Sequence, residues 1–383
     1  MIRKLLFVIF FISTNLFSRE VSYLARSPRA LLMGDAYTAI ADDEFTLFYN
    51  PAALGRNKGV SFTLIDPNFG LTNALGDTDR FTKFPSGQGA APQIASRVMD
   101  FPIYLQAGIF PTLKMGQFGF TLFADSKASL VLRNATHPML DVNYRYDRGF
   151  IFGYAYNIGT GAFSSRAVKN KKSTTSAGTR LSIGAAVKHM NRQGLQNQFD
   201  LFGTGLLSKI NAGSANSASA IKEALGYSKG DGWGFDLGTE YAISSGRSTL
   251  TSAFSILDIG GTRFRKTEGI SDVPKQEMIV NAGMAYKQDF GLVDYTLSAD
   301  MHPFIGPVDF ARQFHLGTEL SLPLISLHAG WSEGYVSYGA SVKFWPVKIT
   351  TGFYGVEVGS HYREQEAKRF ILYLSLFDFS IDL

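Results

Sequence analysis

The stretch Phe118-Gly-Phe-Thr-Leu-Phe-Ala-Asp125 decides the class of fold. Phe118, Phe120, Leu122 and Ala124 fall on one face, a period of two that belongs to a strand with unlike surroundings on its two sides. The last long segment, Phe370-Ile-Leu-Tyr-Leu-Ser-Leu-Phe-Asp-Phe-Ser380, alternates in the same way. Aromatics near its ends suit the girdles at a membrane–water interface. Between these two, and back to Val60, segments of about eight to twelve residues rich in Phe, Tyr, Val, Leu and Gly recur without a break in style. They number about sixteen, including 60–66, 101–110, 116–124, 128–134, 140–146 and 150–157. The region 126–148 is ambiguous, so about fourteen is an equal count.

The connections are one-sided. With entry from the periplasm at Val60, short turns fall at 111–115, 244–247, 288–291, near Pro323 and at Trp345-Pro346. Longer loops fall on the other side, at 67–100, 191–231, 259–276, 303–312 and 355–368. Tight turns at one end and long loops at the other are the pattern of an outer-membrane barrel. Two features break it: a long stretch at 158–179 on the short side, and very short outer loops near Ser126 and Arg148. A soluble sandwich also alternates, but strand number and one-sided loops weigh against it.

Composition narrows the function. The 383 residues contain no cysteine, so disulfides, thiolate metal sites and cysteine nucleophiles are excluded. Glycine, at 39 residues, is about 10% against a usual ~7%. Arg3 and Lys4, then an apolar run from Leu5 to Ile12, then a short polar stretch to Ser18 read as a secretory signal, 1–18, rather than a retained anchor. Without it the basic surplus falls to three, too small to argue for nucleic acid.

Residues 19–59 have a different period. Leu31, Leu32, Met33, Ala36, Tyr37, Ala39 and Ile40 have helix-like spacing, and Asp42 or Asp43 stands as a cap before Phe45-Thr-Leu-Phe48. In Asn50-Pro-Ala-Ala-Leu-Gly55, Asn50 is the expected cap, Pro51 the first helical residue and Gly55 a left-handed stop. A module of some forty residues is too small for a core of its own and needs a host.

The stretch Arg29-Ala-Leu-Leu-Met-Gly-Asp-Ala-Tyr-Thr-Ala-Ile-Ala-Asp-Asp43, followed by Phe48-Tyr-Asn-Pro-Ala-Ala-Leu54, resembles the start of the FadL outer-membrane family. Within it the chain is similar to the PorV-like and uncharacterised spirochaete-type branches. The resemblance implies a fourteen-stranded barrel plugged by an N-terminal hatch. It also implies a hydrophobic ligand that lands among outer loops and leaves sideways through a kink in the wall. It carries over Gly34, Asn50, Pro51 and Ala52 as the hatch motif. A plug is also what a wide barrel preceded by a small helical module requires, and Gly34, Ala36, Ala39 and Ala52 would let it approach the wall closely.

The expectation is therefore an all-β antiparallel transmembrane barrel of about fourteen strands (roughly 12–16), with a signal peptide at 1–18, a hatch at 19–59 and the barrel at 60–383. Passive uptake of a hydrophobic molecule such as a long-chain fatty acid is the expected function. The alternative is a PorV-like protein that binds secreted cargo or a secretion machine. Leu201, Phe202, Leu206 and Leu207, with Phe69, Leu71, Leu75 and Phe81 in the first outer loop, are candidate ligand contacts or simple loop packing. Gly108 and Gly119 are candidates for a break in the ladder. Outer-membrane lipids and the ligand are the expected partners of a monomer, with no cofactor and no metal. The six histidines make no metal pair, and no nucleophile elbow or phosphate loop occurs. No enzyme activity is expected, although catalytic residues scattered over barrel strands would leave no spacing to read.

Overall fold

The computed structural model describes residues 20–75, 77, 80, 82, 93, 96–134, 136–160, 178–200, 225–305 and 308–381. The strands in chain order are β1 (Val60–Thr63), β2 (Asn68–Thr72), β3 (Ile103–Ile109), β4 (Thr112–Met115), β5 (Phe118–Arg133) and β6 (Met139–Thr160). There follow β7 (Gly178–Asp200), β8 (Ser228–Ser245), β9 (Ser248–Leu257), β10 (Arg265–Gly269), β11 (Ile279–Asp289) and β12 (Asp294–Met301). The last are β13 (Phe314–Ser321), β14 (Ile325–Ser332), β15 (Tyr335–Phe344), β16 (Val347–Glu357), β17 (Glu366–Leu376) and β18 (Phe379–Ile381). Each pairs antiparallel with its neighbours, and β1 with β18 and β2 with β17 close the sheet on itself. Segments β1 with β2, β3 with β4 and β17 with β18 are single passes. β10 is a stub beside β8 within a loop, so the cylinder has fourteen passes.

The ambiguity over 126–148 is resolved by merging. β5 runs through Ser126 and β6 runs through Arg148, so four expected strands are two long ones and the two very short loops vanish. β6 and β7 have 22 and 23 residues, about twice the 9–11 that a tilted span needs. Polar residues midway along them mark the membrane boundary rather than turns. The expected turn at 111–115 is also wall: β4 occupies it and the chain reverses at Gly116, with φ +54°.

Sidedness follows from exposure. Phe118, Phe120 and Leu122 are 46%, 37% and 47% exposed, whereas the intervening Thr121 and Phe123 are buried. Trp233, Phe235 and Leu237 on β8, and Leu316 and Leu320 on β13, continue the outward apolar band. Such a band around a closed sheet leaves no unpaired backbone edge in lipid, and the protein belongs in the bacterial outer membrane. Among the described residues no helix is long and apolar enough to cross a membrane. The expected signal peptide, 1–18, lies outside the described residues.

Inside the cylinder lies the segment from Glu20 to Asn57. Its helix α1 (Pro28–Leu32) is capped by Ser27 and is shorter than the apolar spacing suggested. Gly34 and Asp35, at φ +63° and +62°, end it by turning left-handed. Two short 3-10 helices follow, Thr46–Phe48 and Pro51–Arg56. Asn50 caps the second with Pro51 as its first residue, and its side chain accepts from the Ala52 amide at 3.0 Å. Gly55 is not the expected stop: it lies within the helix, which ends at Asn57 in extended backbone. Gly55 is small for another reason, since a Cβ there would stand 2.1 Å from the Asn157 side chain.

Candidate functional site

The inner segment and the wall are fitted glycine to backbone. A Cβ on Gly184 would lie 2.3 Å from the Ala52 amide nitrogen, and one on Gly238 would lie 1.9 Å from Asn50 Oδ1. The Asn50-Pro51-Ala52 turn is thus seated on β7 and β8, and Asn50 Nδ2 donates to the Thr239 carbonyl at 3.2 Å. On the other side of the lumen a Cβ on Gly330 would meet the Gly34 nitrogen at 2.1 Å. Gly34 donates its amide to Ser337 Oγ at 3.0 Å. His315 Nδ1 lies 2.9 Å from the Gly34 carbonyl, and His302 Nε2 lies 3.0 Å from that of Asp35. The two imidazoles are stacked at 3.8 Å, which gives these histidines a structural role that no metal-pair spacing would reveal.

Polar ties hold the outer end of the segment. Glu20 makes a bidentate pair with Arg369 at 2.8 and 2.6 Å. Burial pushes the Glu20 carboxyl up, but the guanidiniums of Arg369 and Arg26 outweigh it and hold the group at about 2. Lys127 donates to the carbonyls of Tyr23 and Leu24. Only about 40 Å³ is left open between this stretch and the wall around Tyr104, Gln106 and Arg145, about one or two waters.

The wall is broken where its first two passes meet. Between Thr63↔Thr112 and Asn68↔Gly108 the first pass advances five residues and the second only four, an extra residue of the kind that bends a strand. Residues 64–67 and 109–111 face each other there without ladder bonds. Pro111 has no N–H to give, and the Phe110 amide donates instead to the buried carboxylate of Asp66 at 2.7 Å. The other flanks stay closed: Ile65 bridges Leu376, and the Leu122 amide donates to the Pro111 carbonyl at 2.9 Å. Gly108 and Gly119, the expected weak points, remain paired within their ladders.

Apolar matter collects on both sides of this seam. Behind it Phe45 and Phe48 of the inner segment meet Phe110 at 4.7 and 5.7 Å between ring centroids. Phe48 also meets Phe123 at 5.8 Å, and Phe45 meets Tyr373 at 6.1 Å. Glu44 accepts from the Tyr373 hydroxyl. Burial holds the Glu44 carboxyl above the usual carboxylate range, with Lys348 opposing at 4.0 Å. In front, beside the kinked second pass, is a recess of about 560 Å³ lined by Ile109, Pro111, Leu122, Phe123, Phe150 and His189. Arg148, Asn191 and Asp231 line its polar side.

Sequence reasoning missed Asp66, Phe110 and Pro111. Their signal was present as two prolines, Pro67 and Pro111, inside segments that otherwise read as neighbouring strands. The first-loop candidates move. Phe69 and Leu71 lie on β2, 41% and 44% exposed, paired with Ala107 and Leu105 on the outward wall rather than in a loop groove. Pro67, the expected start of an outer loop, sits at the bulge within one pass. Leu75 is exposed just past β2. Phe81 and the other proposed contacts, Leu201, Phe202, Leu206 and Leu207, lie outside the described residues. Among the described residues no cluster of three or more acidic or histidine side chains could hold a metal ion.

No protein-family model matches the chain, and no curated protein does. Solved structures similar to it include the CymD monoaromatic hydrocarbon channel, at 12% identity and a TM-score of 0.46, covering 95% of this chain and 100% of that one. The toluene transporter TbuX of Ralstonia pickettii matches at 11% identity and 0.43, covering 93% and 99%. The toluene transporter TodX of P. putida matches at 10% identity and 0.40, covering 94% and 100%.

Proposed function

We propose that the protein takes up a hydrophobic small molecule passively across the outer membrane, with residues 19–59 as its hatch. A long-chain fatty acid is one candidate cargo; a monoaromatic hydrocarbon, after which the similar CymD channel is named, is another. One observation carries the reading: the unpaired stretch between the first two passes is backed by aromatic rings, and an apolar recess lies beside the second of them. A molecule leaving there exchanges one apolar surrounding for another, and its burial in the bilayer, about 0.8 kcal/mol per CH₂, drives the exit. The ring cluster fills the inner side of the seam, so cargo must displace Phe45 or Phe48 to pass.

The cysteine-free chain makes the test direct. An Ile109→Cys variant labelled with a bulky maleimide should lose uptake of labelled toluene and of oleate by about tenfold or more, while Ile325→Cys, outward on another part of the wall, should keep it when labelled. Unchanged uptake through labelled Ile109→Cys overturns the lateral route. A second reading, a monomeric barrel that holds secreted cargo or a secretion machine, draws on the height of β6 and β7 above the apolar band. Recovery of a stoichiometric protein partner after mild extraction would favour it.

A further inference from the structure

Beside the start of the inner segment, Arg145 on β6 is buried at 6% exposure. Its guanidinium makes two long hydrogen bonds, to the Tyr23 carbonyl at 3.4 Å and to Gln276 Oε1 at 3.5 Å. Three carboxylates lie near enough to act on its charge, Asp147, Glu20 and Asp125, yet none among the described residues forms an ion pair with it. Each is held by another cation. Arg192 takes Asp147 at 2.6 and 3.0 Å, and Lys127 takes Asp125 at 3.0 Å. Arg369 and Arg26 share Glu20 at 2.6 and 3.1 Å, and Arg26 reaches on to Asp35 at 3.6 Å. A buried cation without a carboxylate of its own is costly.

Arg145, Arg26, Lys127 and Glu20 all line the cavity of about 40 Å³ between this stretch and the wall. We propose that this cavity binds a halide ion, chloride in ordinary salt, as the counter-ion of Arg145. Size sets the class. The space suits about one or two waters, so a monoatomic anion fits in place of one, whereas a phosphate or the head of an amphiphile does not. Glu20 is the carboxylate in the described lining, and the guanidiniums of Arg369 and Arg26 already neutralise it.

Two hydroxyls in the same lining have no acceptor among the described residues. Ser22 Oγ is buried with no partner. Tyr354, 4% exposed, has the guanidinium of Arg369 beside its oxygen and nothing to receive its proton. A buried donor without an acceptor costs about 1–3 kcal/mol. A water could accept from these hydroxyls, but its own two protons would then point among Arg26, Lys127 and Arg145. A halide accepts only, and its bonds to charged donors are stronger than neutral ones. Ser22 belongs to the inner segment, and Arg145 and Tyr354 to β6 and β16, so the ion would tie the segment's outer end to the wall.

The experiment melts the full chain, folded in a neutral detergent, in buffers where sodium chloride or sodium bromide replaces sodium gluconate at constant ionic strength. Gluconate is too large for the cavity. The midpoint should rise and level off with either halide, because an ion bound only by the folded chain stabilises it by mass action. Tyr354→Phe keeps every charge and removes one hydroxyl donor, so half of the rise should need about tenfold more chloride. Arg145→Gln, its folding checked by gel shift on heating, should melt alike in all three salts. Crystals grown in bromide should show an anomalous peak in this cavity. The proposal is overturned if chloride and gluconate give the unaltered chain one midpoint, if Tyr354→Phe responds to chloride as the unaltered chain does, or if bromide is absent from the cavity. Where Arg145→Gln does not fold, Tyr354→Phe and the bromide peak decide. No residue of the seam takes part, so the uptake reading stands or falls separately.

Discussion

Gly184 and Gly238 show how closely single residues set this structure. Both sit under the Asn50-Pro51-Ala52 turn with no room for a methyl group: one on Gly184 would strike Pro51 and Ala52 backbone that cannot swing aside, and one on Gly238 the side chains of Asn50 and Pro51. Overpacking of this kind costs about 1–3 kcal/mol. Gly184→Ala should therefore dislodge the turn while the wall ladder survives. Limited proteolysis should then cut within residues 44–57, which are largely buried in the unaltered protein and should resist cleavage there. Asn50→Ala should act in the same direction by about 0.5–2 kcal/mol, the usual cost of a lost cap. The cap itself was legible, because Asn followed by Pro is a local signal. Its sockets were not: in a chain with 39 glycines nothing local distinguishes Gly184 from the rest, and its partner lies more than a hundred positions away. The left-handed stop expected at Gly55 failed for the same reason, since that glycine answers to Asn157 across space and not to the end of its own helix.

Among the strands, alternation located nearly every pass. Errors arose where a strand leaves the membrane or bends within it. β5 and β6 continue into water, where outward residues become polar and mimic turns. The second pass bends at Pro111, and a proline inside a strand mimics its end. That bend rests on one side chain, because Asp66 supplies to the Phe110 amide the acceptor that the missing ladder would have given. Asp66→Leu removes it and leaves a buried N–H unsatisfied, at about 1–3 kcal/mol. The urea midpoint, read by the gel shift between folded and unfolded barrel, should fall. Asp66→Asn keeps a side-chain carbonyl for the same bond and should stay within about 1 kcal/mol of the parent. Equal losses in both variants would mean that the carboxylate's charge, and not its acceptor, supports the seam.

A closed wall of fourteen passes encloses more space than inward-facing side chains fill on their own. The inner segment occupies that space, and the wall meets it with charge as well as with glycine. Arg369 holds Glu20, Lys127 holds two carbonyls near the segment's start, Asp300 accepts the amides of Tyr37 and Thr38, and Arg56 reaches Glu240. Several wall charges are paired within the wall. Lys188 sits between Asp236 and Asp258 at 2.8 and 2.9 Å, and Arg192 lies on Asp147. The ladder that closes the cylinder likewise makes no use of residues before Val60. Deletion of residues 19–59, with the signal retained, should therefore give a barrel that still shifts on heated gels but now carries ions. In planar bilayers the parent chain should be silent, and the deletion should show steady, ohmic steps, because polar and charged side chains that faced the segment would then line water. A folded deletion as silent as its parent would mean that something other than this segment closes the lumen.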